Sequence, residues 1–345
     1  MIVDSLRAPT VLAPMAGGPS TPELAAAVAE AGGLGFLAAG YLTPEQLEEQ
    51  LTAARSATAG PLGVNLFVPG APTADAETVA RYTERLRRWA TERGAEIGEP
   101  RYSDDGWEQK LDLLRSRSPE VVSFTFGCPP REVIERIKAS GAEAWVTVTG
   151  VDEAREANAA GADALVVQGG EAGGHRASFA DRAELPVLSL LPLLQLISSS
   201  VDVPLVASGG IATGGALAAV LCAGASAAQV GTAFMLCPEA GTSEAHREAL
   251  RTSRATSLTR AFTGRLARGI RNEFMRAHDG AAPIAYPEIH YVTAPLRKAA
   301  REQGDAESIN LWAGEAHELS RERPAAEIVR RLMAEAEEAA RQLPM

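Results

Sequence analysis

The sequence predicts an α/β fold, a (β/α)8 TIM barrel with a smaller helical second domain. Three observations predict it. Eight short apolar runs alternate along the chain with helical patterns, which implies an all-parallel sheet, and eight units favour a closed barrel. The seventh and eighth runs end in a matched pair of glycine turns, Gly209-Gly210 and Gly231-Thr232, the two loops where such barrels commonly hold phosphate. From Pro238 onward the strand pattern ends and the tail reads as charged helices.

The elements follow in order. Residues 10–13 form the first apolar run, stopped by Pro14-Met15-Ala16-Gly17-Gly18. Thr21-Pro22-Glu23 is a helix start, with threonine as N-cap, proline at the first helical position and an acid in the first turn. That helix reaches Ala31 and stops at Gly32-Gly33. Residues 34–38 are the second strand, and Thr43-Pro44-Glu45 repeats the cap signal. Residues 62–66 are the third strand. The rhythm then pauses. Residues 69–119 hold prolines, glycines and charged helical pattern at 78–93 and 107–116, read as a helical insertion. It resumes with strands at 121–124, 144–148, 164–167, 205–208 and 228–230, separated by helices at 131–140, 152–160, 188–198 and 214–223. Residues 325–341 form a long polar-faced helix. The expected division is a barrel of 1–68 and 120–237, with 69–119 and 238–345 as a helical layer capping its mouth and shaping the substrate space.

Composition narrows the function classes. The 345 residues are 46% hydrophobic, enough for one large domain and a subdomain. Thirty-three basic against 44 acidic side chains give a net charge of −11 with no basic block, which argues against nucleic acid and anionic membranes as partners. The longest apolar stretch, 185–197, is broken by Pro186 and Pro192 and is too short to span a bilayer. The first nine residues lack the regions of a signal peptide. Cys128, Cys222 and Cys237 are odd in number and lack metal-ligand spacing. The expectation is a reduced cytoplasmic protein without disulfides or a metal.

Chemistry is expected at the C-terminal ends of the strands. Those ends carry Pro14, Met15 and Ala16; Asn65; Gln168 with Gly169, Gly170, Gly173 and Gly174; Ser208, Gly209 and Gly210; and Gln229, Val230, Gly231 and Thr232. Backbone N–H groups in glycine turns beside a helix N-terminus suit an anion, so a phosphate group is expected there. The amides of Asn65 and Gln168 suit a ring that both donates and accepts hydrogen bonds. These residues leave a flavin and a sugar phosphate both open. His175 stands at the tip of the glycine loop after the sixth strand, as the candidate proton-transfer group. Cys128 follows the fourth strand, but Pro129 beside it and the absence of an adjacent base make it a small loop residue rather than a nucleophile. No lysine stands at a strand end, which weighs against a sugar-phosphate isomerase or aldolase barrel. His246, His278, His290 and His317 are scattered in the tail and read as surface or packing residues, while Tyr286, Tyr291 and Trp312 read as core or interdomain packing, with a lid over the substrate as the alternative.

Four motifs in order resemble a known family. They are Ala13-Pro14-Met15-Ala16-Gly17 with Thr21-Pro22-Glu23-Leu24 and Ala31-Gly32-Gly33-Leu34-Gly35; Val64-Asn65-Leu66-Phe67; Gln168-Gly169-Gly170-Glu171-Ala172-Gly173-Gly174-His175-Arg176; and 204–211 with Gln229-Val230-Gly231-Thr232-Ala233-Phe234. Together with Leu311-Trp312-Ala313-Gly314, they resemble the nitronate monooxygenases, formerly called 2-nitropropane dioxygenases. The resemblance implies non-covalent FMN, held at Met15, Asn65, Gln168, Gly173, Gly210 and 229–232, with His175 as catalytic base. It implies oxidation of alkyl nitronates, or nitroalkanes, with O2 to a carbonyl compound and nitrite. The same motifs resemble FMN-dependent enoyl-acyl carrier protein reductases and NADH:quinone reductases, but the Glu-Ala-Gly-Gly-His-Arg run favours the nitronate reading. Two positions depart from the family pattern: Ala177 replaces a usual glycine after His-Arg, and Glu315 stands where glutamine is expected.

Overall fold

An eight-stranded parallel sheet closes on itself in the computed structural model, which describes residues 1–70 and 74–342. Its strands are β1 (Thr10–Leu12), β2 (Gly35–Ala38), β3 (Leu62–Phe67), β4 (Val121–Thr125), β5 (Glu143–Val148), β6 (Ala164–Gln168), β8 (Leu205–Ser208) and β9 (Ala227–Val230). The two-residue β7 (Gly174–His175) pairs elsewhere. Neighbours run β1-β9-β8-β6-β5-β4-β3-β2. Closure comes from a parallel bridge between Val11 and Leu34, with Leu12 N donating to Leu34 O at 2.9 Å and Leu34 N to Thr10 O at 3.0 Å. The strands are apolar and buried along nearly their whole length, as strands covered on both faces must be.

The helices are α1 (Ile2–Ser5), α2 (Pro22–Glu30), α3 (Pro44–Ala57), α4 (Ala76–Glu92), α5 (Trp107–Arg117), α6 (Arg131–Lys138), α7 (Val151–Ala160), α8 (Leu190–Ser198), α9 (Gly214–Cys222), α10 (Glu244–Leu250), α11 (Glu273–His278), α12 (Glu288–Gln303) and α13 (Ala325–Arg341). The threonine caps form as their sequence implies. Thr21 Oγ1 accepts from Leu24 N at 3.0 Å, and Thr43 Oγ1 from Gln46 N at 3.2 Å with Gln46 closing the capping box.

Two helices that the sequence suggests for the capping layer pack on the barrel instead. Leu111 and Leu114 of α5 join the barrel core, so α5 is the helix between β3 and β4. Ala325, Ile328, Val329 and Leu332 of α13 join the same core, and α13 packs on α9 and α2. The last helix of the chain therefore completes the outer ring after an excursion of nearly ninety residues. Gly214 is required at that contact, because a Cβ there would overlap Glu335 and the backbone of Ala336. An exposed polar face concealed the apolar stripe that faces α9.

The excursion builds a second core with α4: Val79, Tyr82 and Leu86 pack with Phe262, Phe274, Ile289 and Leu296. The tail, read from sequence as helical and charged, also carries two strands. β10 (Thr256–Thr259) and β11 (Ala267–Ile270) are antiparallel, and β11 also pairs β7, with Ala267 opposite His175. Four-residue strands such as Ala-Arg-Gly-Ile carry too few apolar residues to show a period. This small sheet ties the glycine loop after β6 to the cap. No helix among the described residues is long and apolar enough to cross a membrane.

Candidate active site

A cavity of about 410 Å³ opens at the C-terminal ends of the barrel strands, between barrel and cap. Pro14, Met15 and Ala16 line it after β1, Asn65 on β3, and Gln168, Gly173, Gly174 and His175 around the loop after β6. Ser208, Gly209 and Gly210 line it after β8, and Gln229, Gly231 and Thr232 at the end of β9. Val230 does not. Strand alternation turns its side chain into the barrel core, where it is 1% exposed, while its carbonyl accepts from Ala13 N at 2.8 Å.

The two amides singled out by sequence differ in what they leave for a ligand. Asn65 Nδ2 donates to Ser123 O, Ser123 Oγ and Thr125 Oγ1 at 3.3, 2.9 and 2.9 Å, which orients the side chain. Gln168 is engaged on both ends by its own loop. Its Nε2 donates to His175 O at 3.0 Å, and its Oε1 accepts from Ala177 N at 2.9 Å and Arg176 Nη1 at 3.3 Å. Gln168 is thus a clamp that fixes where His175 sits. Arg176 completes the clamp, donating to the carbonyls of Gln168 and Gly169 at 2.7 and 2.8 Å. Ser208 and Gln229 are 7% and 8% exposed and face the cavity with no protein hydrogen bond to their side chains among the described residues.

The turns after β8 and β9 form a backbone cradle. Gly209 and Gly210 have φ of +121° and +69°, the region that glycine adopts without strain. Neither Gly210 and Ile211 nor Thr232 and Ala233 find an acceptor for their N–H groups among the described residues. A Cβ on Gly231 would come within 3.2 Å of Ala13 Cβ. Free N–H groups in glycine turns beside unpartnered hydroxyl and amide side chains form a donor set that suits an anion. One detail departs from expectation. The N-terminus of α9 is already taken by a carboxylate, since Gly214 N donates to Glu335 Oε2 at 2.9 Å. The loop N–H groups, rather than that helix end, are what remains for an anion.

His175 faces the opposite wall. Its ring lies 5.7 Å from Phe126, 5.7 Å from Tyr286 and 5.6 Å from Trp312, centroid to centroid. Burial, with smaller contributions from Arg265 and Arg297, holds its pKa down at about 3, so the imidazole is neutral at pH 7. Arg265 stacks 4.0 Å over the Phe126 ring. Arg297 lines the cavity, 6% exposed, and donates to Thr293 Oγ1 and His290 O, each at 3.0 Å. Neither arginine has a carboxylate partner within ion-pair distance among the described residues. Burial lowers Arg297 to about 10, which leaves it charged.

None of the four tail histidines is a surface residue. His246, His290 and His317 are buried and line the cavity, and Tyr41 stacks on His290 at 3.9 Å. His278 packs between Trp89 and Phe274 in the second core. The sequence reading also missed Tyr41, Phe126, Thr263, Arg265 and Arg297, which come from four different loops and helices. Burial pushes the Cys128 thiol up to about 11, which excludes a thiolate nucleophile at neutral pH. Ala177 is fully buried on the cavity wall. Glu315 lies off the cavity and pairs with Arg268 at 2.8 Å.

Glycine turns with free N–H groups and a buried histidine line one cavity at the mouth of a parallel barrel, beneath a separate cap, which is the arrangement of a barrel enzyme. The family model for nitronate monooxygenase matches residues 2–335, and the chain belongs to that family of flavin-dependent enzymes. It is 36% identical over 330 residues to a probable nitronate monooxygenase of Staphylococcus aureus, covering 93% of this chain and 92% of the relative. Its structure is similar to a nitroalkane oxidase of Streptomyces ansochromogenes, with TM-score 0.96, 47% identity and 99% of each chain covered. It is also similar to FabK of Thermotoga maritima, with TM-score 0.76, 26% identity, and 99% and 96% covered.

Proposed function

We propose that the protein oxidises alkyl nitronates, and neutral nitroalkanes, with FMN and O2 to a carbonyl compound and nitrite. The observation that carries this reading is His175, an imidazole on the cavity wall bonded to Thr263 and held neutral by burial and by two buried arginines, Arg265 and Arg297, that lack carboxylate partners. A nitroalkane C–H is acidic, so one base suffices to form the nitronate anion. The free N–H groups of Gly210, Ile211, Thr232 and Ala233, with Ser208, suit the FMN phosphate, and Asn65 and Gln229 suit the polar edge of its ring. FMN supplies the redox chemistry with oxygen; the chain supplies binding, orientation and electrostatics.

His175 removes the α-carbon proton, and the positive charge of Arg265 and Arg297 favours the anion that results. The same charge disfavours the imidazolium, so the proton's resting place on His175 is transient. Phe126, Tyr286 and Trp312 exclude water around the ring, which strengthens both effects. A nitronate taken up directly needs no base, and His175 then orients it by hydrogen bonding.

The test is the absorption spectrum of the purified protein, followed by FMN release on denaturation and oxygen uptake with ethyl nitronate. A colourless protein that fails to bind added FMN overturns the reading. The similarity to FabK supports one alternative, an NAD(P)H-dependent enoyl-acyl carrier protein or quinone reductase. Fast anaerobic flavin reduction by NADH, coupled to quinone or enoyl turnover, would select it.

A further inference from the structure

A second cavity of about 230 Å³ lies beside the first, and both are lined by Tyr41, Phe67 and Phe126. These three rings form a partition one side chain thick. Tyr286 completes it from the second side. Its hydroxyl donates to the Tyr41 hydroxyl at 3.1 Å, and its ring lies 5.4 Å from Phe126 and 5.7 Å from His175. A group held at His175 therefore has the second cavity directly behind the wall it touches.

Backbone strain concentrates at this partition. Among the described residues, four other than glycine have clearly positive φ, and three of them line the second cavity: Tyr41 at +70°, Phe126 at +77° and Asp105 at +58°. Bulky residues adopt this region only where the surroundings hold them, and such strain collects at ligand clamps and switches. The hold on Tyr41 is visible. Its N–H donates to Asp105 Oδ1 at 3.0 Å, Asp105 Oδ2 meets Lys110 Nζ at 2.7 Å, and Lys110, 1% exposed, also donates to Ala39 O at 2.9 Å. Two of the charges around the cavity are ion-paired, Asp105 with Lys110 and Asp181 with Arg260 at 2.6 Å. Asp104 at the rim accepts from Gly106 N, and Arg265 donates to the carbonyls of Arg176 and Ser178 while it stacks on Phe126. What the cavity offers a ligand is aromatic surface, with Phe179, Tyr102 and Tyr291 facing the partition.

We propose that the second cavity is the subsite for the apolar tail of the nitro substrate, and that Tyr41 and Tyr286 select tail length by parting to admit it. The inference rests on the nitro-oxidation reading for the head group at His175. The occupant is a hydrocarbon or aryl chain, because the wall next to the partition is aromatic and the buried Arg265 behind it is turned to backbone carbonyls and the Phe126 ring.

The test uses holoprotein and straight-chain carboxylates from propionate to decanoate, planar anions that resemble a nitronate head but are not oxidised. Affinity is read by titration calorimetry, alongside oxygen uptake on ethyl nitronate. Once the tail passes the partition, affinity should rise by about fourfold per methylene. Ala180→Trp, at an exposed position on the rim of the second cavity, should flatten that rise for long tails. Tyr286→Phe should speed association of decanoate relative to propionate. A crystal structure of the decanoate complex should place the tail beyond Tyr41. A flat series, a rise untouched by Ala180→Trp, or a tail confined to the first cavity overturns the proposal. If ethyl nitronate gives no oxygen uptake while the carboxylate series behaves as expected, the oxidation reading fails and the subsite stands.

Discussion

His175 Nε2 lies 2.8 Å from Thr263 Oγ1, and the threonine hydroxyl lies 3.3 Å from the Arg265 carbonyl. A hydroxyl has one proton. Directed at that carbonyl, it leaves Oγ1 to accept from Nε2–H and fixes Nδ1 as the bare nitrogen, the atom that would take a substrate proton in the proposed reaction. Thr263 would then be a positioning residue for that base. Thr263→Val should lower kcat on neutral nitroalkane about tenfold, the worth of one lost hydrogen bond of ~1–1.5 kcal/mol. KM should change little, and Thr263→Ser should restore the rate. Equal kcat in Val and Ser variants would remove this role.

Arg297 lines the same cavity and acts on the same imidazole. Burial is the main cause of the depressed His175 pKa of about 3, and Arg265 and Arg297 add to it. A neutral base is needed for proton abstraction, so the wild type should show no acid limb from His175 above about pH 4. Arg297→Met removes one of the opposing charges, so the histidine's pKa should rise and an acid limb should move up in kcat/KM for neutral nitroalkane. Nitronate KM should rise as well, since the anion loses a cation. A pH profile that superimposes on wild type would show that Arg297 acts on packing alone.

Stability should fall in mild acid. Burial holds His175 at about 3 and His246 and His278 at about 4, and it takes His290 well below 6.5, with nearby arginines adding to the shift at each. All four pKa values are lower in the folded protein than in the unfolded chain. The unfolded chain therefore binds more protons between about pH 4 and 6.5, and stability is lost as pH falls through that window. Urea midpoints should be level above pH 7 and should drop steadily from about pH 6.5 downward. A midpoint unchanged at pH 5 would contradict the buried neutral histidines.

The barrel was legible because its signals are local. Thr21-Pro22-Glu23 and Thr43-Pro44 announce helices, β-branched runs announce buried strands, and glycine turns mark the mouth. The same logic reached the cavity residues after β1, β3, β6, β8 and β9, but not Tyr41, Thr125, Phe126 and Thr147 beside β2, β4 and β5, and it wrongly added Val230, whose side chain follows strand alternation inward. The cap was not legible. β11 is four residues long, α13 returns to the barrel through an apolar stripe beneath a charged face, and Arg297 reaches His175 from a helix 122 positions later. Such relationships depend on tertiary packing, which periodicity does not encode. Gln168 shows a subtler gap: its position was readable, but not that its amide would be taken by its own loop.

The proposed phosphate cradle is testable through two glycines with different constraints. Gly231 has no positive φ, and a Cβ there meets only Ala13 and Met15 side chains, at 3.2 and 3.6 Å. Gly231→Val should fold, place its branched side chain in the cradle and weaken FMN binding by at least about tenfold, equivalent to ~1.4 kcal/mol. Gly210 sits at φ +69°, so Gly210→Val should lower both flavin affinity and melting temperature. Wild-type flavin affinity in a folded Gly231→Val protein would move the phosphate elsewhere.

The base itself is separated from the rest of the site by comparing two forms of one substrate. A neutral nitroalkane must lose its α-proton in the active site, whereas a preformed nitronate has already lost it. His175→Asn keeps a polar side chain of similar reach but offers no basic nitrogen. The β7–β11 pairing uses backbone atoms of Gly174 and His175, so the loop should keep its course. Loss of a general base costs about a hundredfold to ten-thousandfold. Oxygen uptake on neutral nitroalkane should fall by that amount at matched flavin content, while uptake on nitronate falls far less. Equal losses on both forms would assign His175 to orienting the anion rather than to proton abstraction, and no loss on either would leave it a structural residue of the loop.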